Sequence, residues 1–332
     1  MRETVRLTQP TEILDLTLIA TPFSGHSGSQ EIQLAIEGQF RPQQFPLESG
    51  TVKYGVTGGM LQFHLQDAHF TTLSEEISNY LPISKFPTVD HPTWKFALPT
   101  GSEVLNNTLE SIPLGTIATT SPNWSLEANF TVAQSDILII ESDGLWRHDL
   151  RPNKQAILYR KIALFLLALT LPSPLISLEM NQSTSGGLLS PVEPPQTETK
   201  DLLATLERVK QASSNNFLEL CQIANLNPKL DFTGANLRGT TLRGLDLNRA
   251  QWSRVNLRGA DLTDIDLSES NLQRAKLSGA DLSGAYLSNA NLKEADLHRA
   301  SLALANLSGA KLQGANLEET NLSKTNFNDC EW

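Results

Sequence analysis

The sequence predicts a mainly β protein in two parts. An antiparallel β-sandwich or barrel with one apolar helix comes first, and a stack of square β turns behind a helical cap comes last. Three observations carry this expectation. From about residue 230 to residue 332 an apolar residue recurs at every fifth position without an insertion. Residues 1 to about 150 hold short β-branched or alternating runs punctuated by Gly and Pro. No long helical pattern precedes Asn153.

The five-residue frame has a regular interior. Its central residue is Phe232, Leu237, Leu242, Leu247, Trp252, Leu257 and onward to Leu317, Leu322 and Phe327. Two places earlier stands a small residue, as in Ala250, Ala260, Ala275, Ala280 and Ala285, and Asn or Asp usually lies between. A period of five is neither helical nor that of a flat strand. The simplest shape that buries one large and one small residue in five is a coil with one flat side per unit. Four sides close a turn, turns stack as a parallel β-solenoid, and residues twenty apart fall into one column. About five turns at the usual strand spacing of ~4.8 Å give a rod roughly 24 Å long.

The units Ala-Asn-Leu-Arg-Gly from Ala235, Ala-Asp-Leu-Thr-Asp from Ala260, Ala-Asp-Leu-Ser-Gly from Ala280 and Ala-Asn-Leu-Lys-Glu from Ala290 also carry a resemblance. The run is similar to the pentapeptide-repeat family, whose pattern is A(D/N)LXX, over about a third of the chain. The resemblance implies a right-handed quadrilateral parallel β-helix. It also implies a scaffold or partner-binding rod or, as in some members, a mimic of DNA. The order of the parts resembles multidomain members from photosynthetic bacteria, and residues 1–178 resemble no family that can be named.

In chain order, strands are expected at 12–20, 31–36, 50–56, 60–65, 93–98, 114–120, 124–132 and 136–140. Turns are expected at 22–28, 42–46, 58–59, 87–92, 99–101 and 121–122. A helix over 154–171 follows. Its middle is apolar all round, which predicts burial against the β-rich domain. The uncharged stretch 162–178 approaches the length of a bilayer span, but Pro172 and Pro174 interrupt it. A membrane-peripheral helix is therefore the alternative to burial, and no span is expected. The expected divisions are a β-rich domain at 1–178, a flexible linker at 179–200, a helical cap at 201–228 and the solenoid at 229–332. The cap, with helices at 200–212 and 216–224, covers the strand edge and apolar axis of the first turn. Trp252 is bulky for the axis, so a widened turn or an outward indole is expected there.

The net charge is −10. Residues 1–200 hold 12 Lys and Arg against 20 Asp and Glu, whereas 229–332 hold 12 against 13. An acidic chain without a basic tail argues against nucleic-acid binding, because phosphate contacts supply most of such affinity. The balanced solenoid with its arginine columns likewise argues against DNA mimicry. Two distant cysteines, Cys221 and Cys330, read as reduced thiols, and the charged first residues lack a signal-peptide core, so the cytoplasm is expected.

Little in the sequence points to chemistry. There is no phosphate-binding glycine loop, zinc-type Cys/His spacing or HExxH, and no catalytic, metal or cofactor residue is assigned. The run 25–28 matches a nucleophile elbow poorly. His64 and His69 would face opposite sides of one strand. Glu141, Asp143, Arg147, His148 and Asp149 read first as a strand end and turn, second as a partner-binding surface. In the solenoid, Arg238 and Arg258 share a column, as do Arg254 and Arg274, with Arg243 and Arg249 on nearby sides. Ion pairing with neighbouring acids is one reading, and a docking face for an acidic partner, joined by Arg147 and His148, is the other. Phe327, Cys330 and Trp332 are expected either to plug the far end or to pair with a second chain as a homodimer.

The expected function is a non-enzymatic scaffold or adaptor that binds protein partners through a rigid solenoid and a β-rich recognition domain. The alternatives are a small-ligand sensor or enzyme in residues 1–178 with the solenoid as an oligomerisation or targeting module, and a membrane-peripheral organiser. No cofactor is expected.

Overall fold

A computed structural model describes residues 5–10, 14–24, 30–48, 50–73, 83–86, 92–97, 104–106, 108–121, 124–146, 150–170, 176–179 and 196–332. The chain divides into two compact units. Met1–Leu145 with Leu166–Glu193 form the first, and Trp146–Phe165 with Pro194–Trp332 form the second.

The first unit is antiparallel throughout its described sheets. One five-stranded sheet joins β1 (Val5–Pro10), β2 (Leu14–Ser24), β3 (Gln30–Phe40), β10 (Thr108–Thr119) and β7 (His69–Leu73) in that spatial order. The other joins β13 (Ile176–Glu179), β11 (Ser125–Thr131), β6 (Gly58–Gln66), β9 (Thr93–Ala97) and β8 (Ile83–Phe86). A third sheet sets β5 (Gly50–Val56) between β12 (Ile137–Asp143) and β4 (Gln43–Leu47). Alternating residues of the two larger sheets meet in an aromatic core. Phe40 lies 5.8 Å from both Phe96 and Phe130, and Trp94 lies 5.3 Å from Phe63 and 5.9 Å from Phe70. Of the two expected architectures, the structure is thus the sandwich. Gly115 shows how closely its strands approach: a Cβ there would lie 2.2 Å from the Thr72 carbonyl of β7.

Two expectations are corrected here, and one strand is added. The 42–46 stretch forms β4 rather than a turn; Pro46 is tolerated because β4 is an edge strand, where a missing N–H breaks no ladder on the outer side. His64 and His69 belong to separate strands, because Asp67 adopts φ 57° and the chain crosses there from one large sheet to the other. The uncharged 162–178 stretch ends its helix at Thr170, and β13 pairs with β11. Among the described residues no helix is long and apolar enough to cross a membrane.

The second unit contains α1 (Pro152–Thr170) up to Phe165, α2 (Gln196–Gln211), α3 (Phe217–Ala224) and the solenoid. Residues twenty apart are bridged in parallel, from Asn236 with Asn256 to Lys311 with Glu331. Each bridge residue is held from two sides, as when Leu237 N–H donates to Asn256 O and Asn256 N–H donates to Ala235 O. The central Leu residues from Leu237 to Leu307 are fully buried, and the Ala positions beside them nearly so.

The start of the rod is closed by three helices rather than two. Phe217 of α3 stacks 5.0 Å from Phe232 and 6.2 Å from Trp252, sealing the axis. Trp252 neither turns outward nor lacks a partner: it is fully buried, and its Nε1–H donates to Pro228 O at 2.9 Å. The helix expected on the β-rich domain contributes Pro152–Phe165 here. Asn153, buried, accepts from Thr241 N–H at 2.9 Å and donates to Thr241 O and Asn215 O, so its carboxamide replaces the missing peptide of a turn below. Lys154 Nζ donates to the Lys210 and Ala212 carbonyls at the end of α2, a favoured place for a cation. Arg160 Nε donates to Asp231 O; burial pushes the guanidinium down to about 10, partly offset by the Asp231 carboxylate.

Candidate functional site

The outward face of the rod follows from the local needs of each unit. The ladder leaves the N–H after each central residue without a backbone partner. The Asn or Asp before that residue accepts it, as Asp266 does from Ser268 at 2.9 Å and Asp261 from Thr263 at 3.1 Å. The last residue of each unit turns the corner with a left-handed φ of about 55–70°, whether Gly239 and Gly259 or Arg254, Asp264 and Arg274. Three positions of each unit therefore meet solvent in fixed columns ~4.8 Å apart.

These columns separate the arginines read as one patch. Arg249 lies on the side built from units 245–249 and 265–269, where its guanidinium engages Glu269 through Nε at 2.9 Å and Nη2 at 3.4 Å. Arg243 lies one side earlier and reaches Asp264 at 3.5 Å. Arg274 is held by Glu294 one turn above through Nε at 2.7 Å. Arg258 donates to Ser278 Oγ at 3.1 Å and reaches Asp296 at 3.5 Å. Arg299 and Glu319 repeat the pattern at 2.6 Å. Hydrogen bonding to these guanidinium groups draws the Glu294 and Glu319 carboxyls below their ordinary range, and Asp246 is lowered by the Asn248 N–H and by Lys229. Ion pairing thus accounts for Arg243, Arg249 and Arg274 in large part. What stays together is Arg238, Arg254, Arg258 and Arg274 along one side and its entering corner. Lys276 completes this group, and the sequence reading overlooked it, although it stands twenty residues beyond Asn256.

At the far end the small-residue position changes from Ala to Thr320, Thr325 and Cys330. Their side chains donate to Leu297, Leu302 and Leu307 carbonyls at 2.9, 2.7 and 3.0 Å. Burial raises the Cys330 thiol pKa. Trp332 stacks 5.5 Å from Phe327 yet is 65% exposed, and Leu322 is 37% exposed.

Arg147, His148 and Asp149, like the 25–28 run and most of the 179–200 linker, lie outside the described residues. In the first unit a concavity of about 400 Å³ opens beside the irregular β3–β10 pairing, lined in part by Glu37, Gln39, Arg41 and Glu110. Neither His64, His69 nor Asp143 lines it. Its marker in the sequence is faint: Ser111, whose left-handed φ of 44° accompanies the register shift, has no distinctive neighbours.

A model described as "Pentapeptide repeats" matches eight copies over residues 231–268, 270–309 and 300–331. The solved pentapeptide repeat protein Rfr23 from the cyanobacterium Cyanothece 51142 is 30% identical, and the match covers 99% of it and 36% of this chain, with a TM-score of 0.21. The chain belongs to the pentapeptide-repeat family. A second pentapeptide-repeat protein, alr5209 from Nostoc PCC 7120, is 35% identical over 83% of its length and 28% of this chain, with a TM-score of 0.23. A third, from the Arabidopsis thaliana thylakoid lumen, is 30% identical over 61% of its length and 31% of this chain, with a TM-score of 0.17. No curated protein matches. Membership rests on the solenoid; the sandwich unit of this pentapeptide-repeat protein is not assigned to a family.

Proposed function

We propose that this pentapeptide-repeat protein is a non-enzymatic scaffold or adaptor, with the rod presenting a preformed surface to a protein partner and the sandwich unit recognising another. The observation that carries this reading is the order of the outward side chains. Many of the outward Asn and Asp side chains are tied to the backbone, and Arg249, Arg274 and Arg299 to a Glu one turn away, so these groups have little conformational freedom left to lose on binding. Family membership supports an interaction role at the same level. The free thiols of Cys221 and Cys330 suit the cytoplasm. A homodimer through Phe327, Cys330 and Trp332 is the second arrangement, favoured by the exposure of Trp332 and of nearby Leu322; sedimentation of Trp332→Ser against the parent chain tests it.

The test is affinity purification with mass spectrometry from the native cell, using the full chain. Cutting at Pro228 would strip α1, α2 and α3 from the first turn, so surface substitutions on the rod replace truncation. A specific partner whose recovery falls with those substitutions is expected. Full chain that retains no partner above a control bait overturns the proposal.

A further inference from the structure

The side of the rod built from 235–239, 255–259 and 275–279 is unlike the other three. With its entering corner, it exposes Arg238, Arg254, Arg258, Arg274 and Lys276 over its first three turns and no carboxylate at any outward position. The Arg238 guanidinium and the Lys276 ammonium make no hydrogen bond or ion pair among the described residues, whereas Arg249, Arg274 and Arg299 are each satisfied by a Glu one turn above. The leaving corner is the column Gly239, Gly259 and Gly279, where an added Cβ would meet nothing within 4 Å. The glycines serve the left-handed turn, and they also leave a flat shelf against which a backbone can lie beside the cations.

Resting on the scaffold reading, we propose that this strip binds a short acidic peptide segment of a partner protein, its backbone along the glycine shelf and its Asp or Glu carboxylates on Arg238 and Lys276, while Arg258 between them stays engaged with Ser278 and Asp296. Three observations select that occupant. Charge complementarity demands an anion. The strip is short: three turns at ~4.8 Å offer roughly 10–14 Å, the reach of three or four extended residues at ~3.3 Å each. Beyond it the same side carries Glu294, Asp296, Glu318 and Glu319 against the single cation Arg299, so a long uniform polyanion such as nucleic acid meets a net negative charge where a short acidic run does not. A second copy of this chain is disfavoured by size, since a side about 24 Å long and about 10 Å wide falls well short of the ~800 Å² per partner that a stable interface needs.

The experiment measures fluorescence anisotropy of a labelled Glu octapeptide, a Gly-Ser octapeptide and a 20-base single-stranded DNA with the full-length chain. The double variant Arg238→Glu/Lys276→Glu serves as the probe of the strip, and Arg249→Ala, on another side, as the control. Circular dichroism confirms that each variant keeps its fold. Saturable binding of the Glu octapeptide is expected. It should weaken as salt rises past ~0.1 M, where screening acts within about 10 Å. It should fall at least about tenfold in the double variant and less than about twofold in Arg249→Ala. No preference for the Glu octapeptide over Gly-Ser, an equal loss in both variants, or tighter binding of the DNA overturns the assignment. A partner recovered equally by the parent and the double variant, and not displaced by the octapeptide, sinks this inference while leaving the scaffold reading intact. Failure to recover any partner counts against the scaffold reading itself.

Discussion

Leu304 is the residue that fits its place least. It occupies a left-handed corner position with φ 63° and is 65% exposed, so it carries the steric cost of that conformation without burial in return. Gly284 fills the equivalent position one turn below. A non-Gly residue there costs about 1–2 kcal/mol, and glycine gives back roughly 0.5–1 kcal/mol through the unfolded chain. Leu304→Gly is therefore expected to raise stability by about 0.5–1 kcal/mol, read as a higher urea midpoint at an unchanged slope. The opposite outcome is expected inside. Ala280 is 1% exposed between stacked sides, and Ala280→Leu should lose about 1–3 kcal/mol as the coil is forced apart. A neutral result there would contradict close packing of the small-residue column.

At the scale of elements, the closure of the first turn depends on α1 as much as on α2 and α3. Thr241 faces the open edge, where no earlier turn supplies a peptide, and the Asn153 carboxamide stands in for one. Asn153→Ala leaves the Thr241 N–H and C=O and the Asn215 C=O without this partner. A loss of about 1–3 kcal/mol follows, with faster hydrogen exchange at the Thr241 amide than at the interior Asp281 amide. Asn153→Asp keeps the acceptor and loses the donors, so it should protect the amide while still lowering stability. Unchanged exchange at Thr241 in both variants would show that α1 does not cap the rod.

For the whole molecule, the charge ladders set a pH limit. The Glu294, Glu319 and Asp246 carboxyls are depressed in the folded state by Arg274, by Arg299 and by the Asn248 N–H with Lys229, respectively. A carboxyl with a depressed folded pKa favours folding above its ordinary value, and that contribution fades as pH falls through the folded one. Thermal midpoints should hold from neutrality to about pH 4.5 and decline below it, and moderate salt should narrow the difference because these pairs are exposed. A midpoint that does not change down to pH 3 would remove the ladders from any account of stability. Nearest-neighbour coupling in such a rod also predicts slower exchange in its middle turns than around Leu322, which is 37% exposed.

Much of this protein is legible in its sequence because a solenoid is made of local rules repeated. One large residue fills the axis, one small residue lets sides approach, and an Asn or Asp satisfies a nearby N–H; each requirement acts within five residues and so leaves a period of five. Eight strands, β2, β3, β5, β6 and β9 to β12, were legible for a similar reason, since alternation marks a half-buried strand. Elements whose identity depends on distant partners were not. β4 contains a proline acceptable only at an edge, β7 is a five-residue strand completed by β10, and Pro152–Phe165 join a rod whose first turn lies some eighty residues later. The arginine columns follow from arithmetic, but which arginine meets a carboxylate depends on side-chain reach across turns. Tertiary structure alone therefore divided the cations, leaving Arg238 and Lys276 to face solvent while Arg249 and Arg274 were neutralised by the turn above.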